Sequence, residues 1–128
     1  MPILTIAFTL GMAADNILAK KPIPAEAHLI IQKVRAAAKR KDFSTLRKLM
    51  VPEFTWSFGG DGDADQAIDA WRRDPRVMKE LFRITGHRCA FASNEENIQC
   101  PPNAGYDYRA GFEKTEHGWR MTYFVAGD

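Results

Sequence analysis

The order of two kinds of periodicity along the chain limits its fold more than any other feature of the sequence. Residues 25–85 hold amphipathic helical segments around one short extended run, whereas residues 88–126 show the period-two alternation of strands. Because the helices come first and the strands follow, the pattern predicts an α+β fold in which N-terminal helices pack on a curved antiparallel sheet. The length of 128 residues suits one domain, and we assign residues 20–128 to it.

Capping residues and prolines predict where the helical segments begin and end. Pro24 suits the first turn of a helix that runs to about Arg40, and Asp42 suits the N-cap of a short helix that Pro52 stops. A third helix is predicted from about Asp63 or Asp65 to the residue before Pro75. A fourth is predicted over residues 76–85, with Gly86 as its stop signal.

Alternating aromatic and aliphatic residues predict the strands. Phe54, Trp56 and Phe58 alternate with polar residues, which is typical of a strand with one buried face. Further strands are predicted over residues 88–92, 97–100, 106–114 and 119–126. In the last of them, strict alternation predicts one buried face made of Trp119, Met121, Tyr123 and Val125.

The first residues of the chain predict export. Residues 1–14 are uncharged, and their apolar run has the length of a signal-peptide core, although the usual basic residues before it are missing. We therefore assign residues 1–19 to a signal peptide, with a buried N-terminal arm or first strand as the alternative. The expected location is the periplasm or the outside of the cell. No apolar run reaches 18 residues, so we predict no integral membrane segment.

Cys89 and Cys100 are the only cysteines, and they flank a short polar stretch. Two strands joined by that stretch could bring the thiols together, and an oxidising compartment would bond them. Two buried free thiols are the alternative. The sequence does not offer four ligands at the spacing of a zinc site, and we predict no metal ion and no cofactor.

Three stretches of the sequence resemble a known superfamily. They are residues 40–46 (RKDFSTL), 51–60 (VPEFTWSFGG) and 118–125 (GWRMTYFV). An Asp-capped short helix, a Pro-acid-Phe run and a strand that opens with Gly-Trp are similar to the nuclear-transport-factor-2-like superfamily, which includes ketosteroid isomerase, scytalone dehydratase and polyketide cyclases. The resemblance covers residues 25–128 and implies a cone-like fold that often dimerises through its open sheet face.

Two details qualify this resemblance. Residues 58–62 and 124–128 are similar to small, uncharacterised exported bacterial proteins. The Pro-rich loop at residues 101–105 interrupts the place where the superfamily has one long curved strand. A barrel-like arrangement of five short strands is therefore an alternative to the open sheet.

Six aromatic residues are candidates for the lining of a ligand pocket. They are Trp56, Phe58, Trp71, Phe82, Trp119 and Tyr123. Such residues suit an apolar small molecule. Core packing is the favoured explanation of the same residues, and in a cone fold the two roles overlap. We therefore expect a binding module for an apolar small molecule or for a protein partner, with a homodimer as the default assembly. The basic residues at 20–48 lack the interleaved exposed aromatics and glycine loops of single-strand binders, so we predict no nucleic-acid partner.

Catalytic and ionic sites find weaker support in the sequence. Asp107 with Tyr106, Tyr108 or Tyr123 could form an acid–base site, but strand alternation separates Asp107 from its two neighbours, and we assign no catalytic residue. The acidic run at residues 61–65 lacks the later ligands of a calcium loop and is better suited to helix capping. An isomerase or lyase of the same superfamily, or a neutralising partner of a secreted protein, are the alternative functions.

Overall fold

The computed structural model describes residues 21–57 and 62–127. Within them the chain forms four helices and five strands, in the order expected of an α+β fold. The elements are α1 (Ala25–Arg40), α2 (Phe43–Lys48), β1 (Met50–Thr55), α3 (Ala64–Arg73), α4 (Arg76–Thr85), β2 (Ala90–Phe91), β3 (Asn97–Cys100), β4 (Arg109–Thr115) and β5 (Gly118–Val125). The expected signal peptide at residues 1–19 and the aromatic Phe58 lie outside the described residues.

The four predicted helices are confirmed, and local chemistry explains their ends. α1 follows Pro24 and ends at Lys41, whose left-handed backbone (φ 55°) closes the last turn. Asp42 caps α2 by accepting hydrogen bonds from the backbone nitrogen and the hydroxyl of Thr45, at 3.1 and 2.6 Å. These bonds lower the pKa of the Asp42 carboxyl and keep it charged at the positive end of the helix. Asp63 caps α3 in the same way through the backbone nitrogens of Asp65 and Gln66.

The sheet has the strand order β1-β5-β4-β3-β2 and is open, so the barrel-like alternative is not realised. Strands β2 to β5 pair antiparallel, as predicted. The edge strand β1 departs from the prediction, because it runs parallel to β5, with Met50 opposite Met121 and Thr55 opposite Tyr123. The alternation within β1 sets which side chains are buried but not the direction of its partner, and β5 is too far along the chain for a tight turn to impose an antiparallel pair.

The first strand also begins earlier than its aromatic residues predicted. It starts at Met50 and includes Pro52, which was expected only to stop the preceding helix. A proline lacks the N–H of a sheet ladder, so strands tolerate it at the edge of a sheet, which is where β1 lies.

The core lies between the helices and one face of the sheet. α1 packs against α4, β4 and β5, while α3 packs against β1. Ile98 of β3 and Phe112 of β4 are paired across the strands and are both fully buried. None of the helices that the structure describes combines the length and the apolar composition needed to cross a membrane.

A disulfide bond ties the short strand β2 to β3. Cys89 precedes β2 and Cys100 ends β3, and the two Cα atoms are 4.3 Å apart in the bonded pair. Cys100 is fully buried in the core. The bond therefore fastens the far edge of the sheet, where β2 has only two residues of its own to pair with β3.

Candidate ligand-binding site

A cleft of about 350 Å³ lies at one end of the sheet, and we call it the aromatic cleft. Its lining residues are Trp56, Ala70, Trp71, Asp74, Val77, Tyr108, Phe124, Val125 and Ala126. The parallel pairing of β1 with β5 brings the carboxyl ends of both strands to this place, and the antiparallel β4 begins there. The turn between α3 and α4 covers the cleft from the helical side.

Ring contacts hold the floor of the aromatic cleft in place. Trp71 is 4% exposed, and its ring meets those of Phe54 and Phe124 edge to face, with centroids 5.6 Å apart in both pairs. The half-buried ring of Tyr108 lies 5.5 Å from that of Phe124, at an interplanar angle of 34°. These are favourable geometries for aromatic pairs. The floor is therefore preformed, while the half-buried Trp56 forms a wall beside it.

One ion pair supplies the charge at the rim of the cleft. The Asp74 carboxylate accepts a hydrogen bond from Arg76 Nε at 2.9 Å, and Arg76 Nη2 lies 3.4 Å from its second oxygen. This hydrogen bond, together with the positive charge of Arg76, lowers the pKa of the Asp74 carboxyl. A general base that removes a proton from carbon works best with a raised pKa, so Asp74 is suited to polar contact rather than to proton transfer.

Two of the six predicted pocket residues, Trp56 and Trp71, line the aromatic cleft together. Phe82 lies elsewhere, on the side of α4 that meets α1, where the guanidinium carbon of Arg35 is 3.9 Å from its ring centroid. Trp119 packs against Phe91 near the other end of the sheet, with ring centroids 6.3 Å apart. The structure therefore distributes the described members of the predicted set over separate surfaces.

Tyr123 faces away from the core. Strict alternation along the strand predicts the opposite, a Tyr123 on the buried face. Its hydroxyl donates a hydrogen bond to Gln99 Oε1 and accepts one from Asn97 Nδ2, on the face of β3 opposite the buried Ile98. A register shift between β4 and β5 gives β5 an extra residue there, which reverses the alternation beyond Met121. Phe124 turns inward as a result and reaches the cleft floor.

The Tyr123 ring covers the backbone of Gly111 on the outer face of the sheet. A Cβ atom at Gly111 would overlap this ring, so the glycine allows the close approach. Burial raises the pKa of the Tyr123 hydroxyl. Tyr123 is thus a structural part of the outer face and does not contribute to the aromatic cleft.

The acid–base site considered for Asp107 does not form an enclosed cavity. The Asp107 side chain is 64% exposed, lies 3.7 Å from Arg83 Nη2, and accepts a hydrogen bond from its own neighbour's backbone, Tyr108 N, at 2.7 Å. Tyr106 is 75% exposed. Tyr123 lies on the other side of the sheet, so these groups cannot share one substrate.

The described residues of the acidic run at 61–65 cap α3 and form an ion pair. Asp63 is the cap, and Asp65 pairs with Arg47 Nε at 2.7 Å. Among residues 21–57 and 62–127, no three His, Cys, Asp or Glu side chains are grouped as a metal ion would require.

A larger cavity, of about 710 Å³, lies beside Phe91 and Trp119. Both rings are only 6% exposed, and much of the remaining lining is charged. The charged residues are Lys21, Glu26, Glu95, Glu96, Glu113 and Lys114. Size alone therefore favours this cavity. The aromatic cleft is the better match to an apolar ligand because Asp74 is the one charged residue among its described lining residues, and because its Trp56 and Tyr108 rings are half-buried rather than fully buried.

The pocket residues predicted from the sequence do not include Tyr108 and Phe124, which also line the aromatic cleft. Tyr108 was considered only as a proton donor, and Phe124 was hidden by the bulge in β5. One signal in the sequence points to the cleft: an aromatic residue lies at or next to an end of each of three strands. These residues are Trp56, Tyr108 and Phe124.

Comparisons with known proteins find matches among solved structures. No family model matches this sequence, and no curated protein matches it. Among solved structures, an NTF2-like protein of unknown function from Shewanella oneidensis MR-1 is 11% identical, with 80% of this chain and 97% of that chain covered at a TM-score of 0.47.

Two further solved structures show a similar degree of likeness. An NTF2-like protein with a cystatin-like fold from Novosphingobium aromaticivorans is 15% identical over 94% of this chain and 85% of that chain, with a TM-score of 0.40. An LEH-like epoxide hydrolase from M. tuberculosis is 15% identical over 85% and 83%, with a TM-score of 0.43. The three proteins are similar to this chain in fold alone.

Proposed function

We propose that this protein is a non-catalytic binding protein that holds a small, flat apolar molecule in the aromatic cleft. The observation that carries the proposal is the convergence of Trp56, Trp71, Tyr108 and Phe124 on one space of about 350 Å³. That volume falls at the lower end of the range for ligand pockets, which suits a molecule of one or two fused rings.

The fixed floor of the cleft supports a binding role. Trp71 and Phe124 are held by ring contacts on both sides and need little ordering when a ligand arrives. A preformed surface loses less conformational entropy on binding, which leaves more of the contact energy as affinity. A flat ligand could stack on the exposed part of Trp56 or Tyr108, in the geometry that aromatic rings prefer.

The rim supports a ligand with one polar group. The Asp74 carboxylate lines the cleft and can accept a hydrogen bond from a ligand hydroxyl. The hydrogen bond from Arg76 lowers the pKa of the Asp74 carboxyl, so this group stays ionised and remains an acceptor at neutral pH. This arrangement supports recognition of an aromatic alcohol and does not provide the neutral, desolvated carboxyl that an isomerase-type reaction uses.

Calorimetric titration with 2-naphthol tests the proposal. We expect saturable binding to the unaltered protein and at least about tenfold weaker binding to Trp56→Ala, because a wall of the cleft is removed. Phe82→Leu is the matched control, since it alters a half-buried aromatic of the predicted set outside the cleft. Equal affinities of the unaltered protein and Trp56→Ala, or an equal loss in Phe82→Leu, would contradict the proposal.

We also propose that the protein is exported to an oxidising compartment. The support is the Cys89–Cys100 disulfide, because such bonds persist mainly in exported proteins. The uncharged run at residues 1–14 agrees with it. The protein purified from its own host should have a denatured mass that lacks the first 13–19 residues and two hydrogens. A full-length mass with two alkylatable thiols would contradict export.

The native mass of the same sample separates the binding alternatives. A mass that exceeds the denatured one by a small molecule would support the aromatic cleft as the functional site. A second, different protein chain would instead support the role of a neutralising partner. Two identical chains would support the homodimer, which is compatible with ligand binding in each cleft.

A further inference from the structure

A second cleft, of about 410 Å³, lies between α1 and the residues that follow α4, and we call it the basic cleft. His28, Gln32 and Arg35 line it from α1, at spacings that place them on one face of a helix. His87 and Arg88 line it from the segment after Gly86. All five side chains can donate hydrogen bonds, and none of the described residues that line this cleft is acidic.

Arg35 is the fixed point of the basic cleft. Its guanidinium carbon lies 3.9 Å from the centroid of the Phe82 ring, a stacked position that holds the group in one orientation. The other side of the guanidinium packs on Gly86, where a Cβ atom would lie only 2.9 Å from Arg35 Nε. Glycine at position 86 therefore makes room for the charged group.

This fixed charge has no counter-charge in the part of the chain that the structure describes. Arg35 Nε is buried and has no hydrogen-bond acceptor there, and no described carboxylate lies within ion-pair distance of the group. Protein atoms cover Nε, so an acceptor from outside the described chain reaches the guanidinium at its Nη nitrogens, which are not among the buried unpartnered atoms and belong to a residue that lines the cleft. A positive charge without a counter-charge favours such an acceptor.

We propose that the basic cleft binds the oxyanion group of a small molecule, a phosphate or a carboxylate. The planar guanidinium of an arginine matches two oxygens of such a group, and Gln32, His28, His87 and Arg88 stand around it as further donors. The site is separate from the aromatic cleft and does not depend on the proposed function. It assigns a role to Arg35, one of the basic residues of α1.

A purely structural role for Arg35 is the competing interpretation. The carboxyl end of α4 carries partial negative charge, which a nearby arginine can neutralise. The last carbonyls of α4 already accept hydrogen bonds from Gly86 N and His87 N, at 3.1 and 3.2 Å from Arg83 O and Ile84 O. Arg35 makes no hydrogen bond to them, so neutralisation alone does not account for its unpaired Nε.

Titration of the full chain with inorganic phosphate and, separately, with succinate tests the proposal. The Arg35 Nε–H signal in a nitrogen–proton NMR spectrum reports directly on the group, and sodium chloride at equal ionic strength controls for screening. We expect a saturable shift with a Kd on the order of 1 mM for at least one of the two anions. A saturable response to phosphate alone or to succinate alone identifies the oxyanion class.

Variants distinguish the binding role from the structural one. Because Arg35→Met lacks the Arg35 signal, binding to the variants is followed on the backbone amide signals of Gly86 and His87, which line the cleft. Arg35→Met should weaken anion binding at least about tenfold, whereas Lys33→Met, which removes a positive charge from the same helix outside the cleft, should leave it within about twofold. If Arg35→Met does not fold, the exposed Arg88→Met serves instead, with an expected loss of about threefold. The proposal is overturned if neither anion shifts the Arg35 signal beyond the chloride control, or if Lys33→Met weakens binding as much as the cleft variants.

Discussion

Replacing Trp71 by alanine is expected to lower the free energy of unfolding by about 3–5 kcal/mol, the usual cost of removing a large buried aromatic side chain. Trp71 is 4% exposed and contacts the rings of Phe54 and Phe124, so its removal leaves a cavity between α3 and the sheet. Urea unfolding followed by far-ultraviolet circular dichroism measures the change, with the slope m showing whether unfolding remains two-state.

Trp56→Ala is the matched control for this experiment. Trp56 is the same residue type in the same cleft but is only half-buried, so its removal should cost less than about 2 kcal/mol. A cost at Trp71 that does not exceed the cost at Trp56 would mean that Trp71 is not the fixed floor of the cleft. The comparison also establishes that Trp56→Ala is folded, which the ligand titration requires.

Loss of the disulfide is the second large effect. The double variant Cys89→Ala and Cys100→Ala should be about 2–3 kcal/mol less stable, because the bond closes a short loop of the unfolded chain across a separation of 11 residues. Denaturant unfolding of the oxidised protein and of the double variant measures the difference. The far edge of the sheet should lose amide protection first, since β2 pairs with β3 over only two residues.

The reducing agent dithiothreitol provides the control for this prediction. It should destabilise the unaltered protein by a similar amount and leave the double variant unchanged. If the oxidised protein and the double variant unfold at the same denaturant concentration, the disulfide does not contribute to stability, and the account of the sheet edge is wrong.

Helices were predicted well because their signals are local. Asp42 caps the second helix and Asp63 caps the third, close to where the sequence predicts that these helices begin. Gly86 ends the fourth helix. Each of these signals acts within one turn of the backbone and does not depend on the rest of the fold. The turn of the β4–β5 hairpin is local in the same sense, because Gly118 takes a positive φ of 95° there.

The candidate site was predicted poorly because it depends on contacts between distant segments. The parallel pairing of β1 with β5 places Trp56 beside Phe124, whereas an antiparallel pair would have carried Trp56 away from it. The bulge in β5 then decides that Phe124 rather than Tyr123 faces the core. The period-two pattern predicts which face of a strand is buried. It does not predict the direction of a long-range strand pair or the position of a bulge.

The most direct test of the central claim is an NMR titration with 2-naphthol that follows the indole N–H signals of the three tryptophans. Trp56 and Trp71 line the aromatic cleft, while Trp119 lies beside Phe91 at a different cavity and acts as an internal control. The account predicts saturable shifts of the Trp56 and Trp71 signals and a stationary Trp119 signal. A shift of Trp119 alone, or no saturable shift of any of the three, would contradict it.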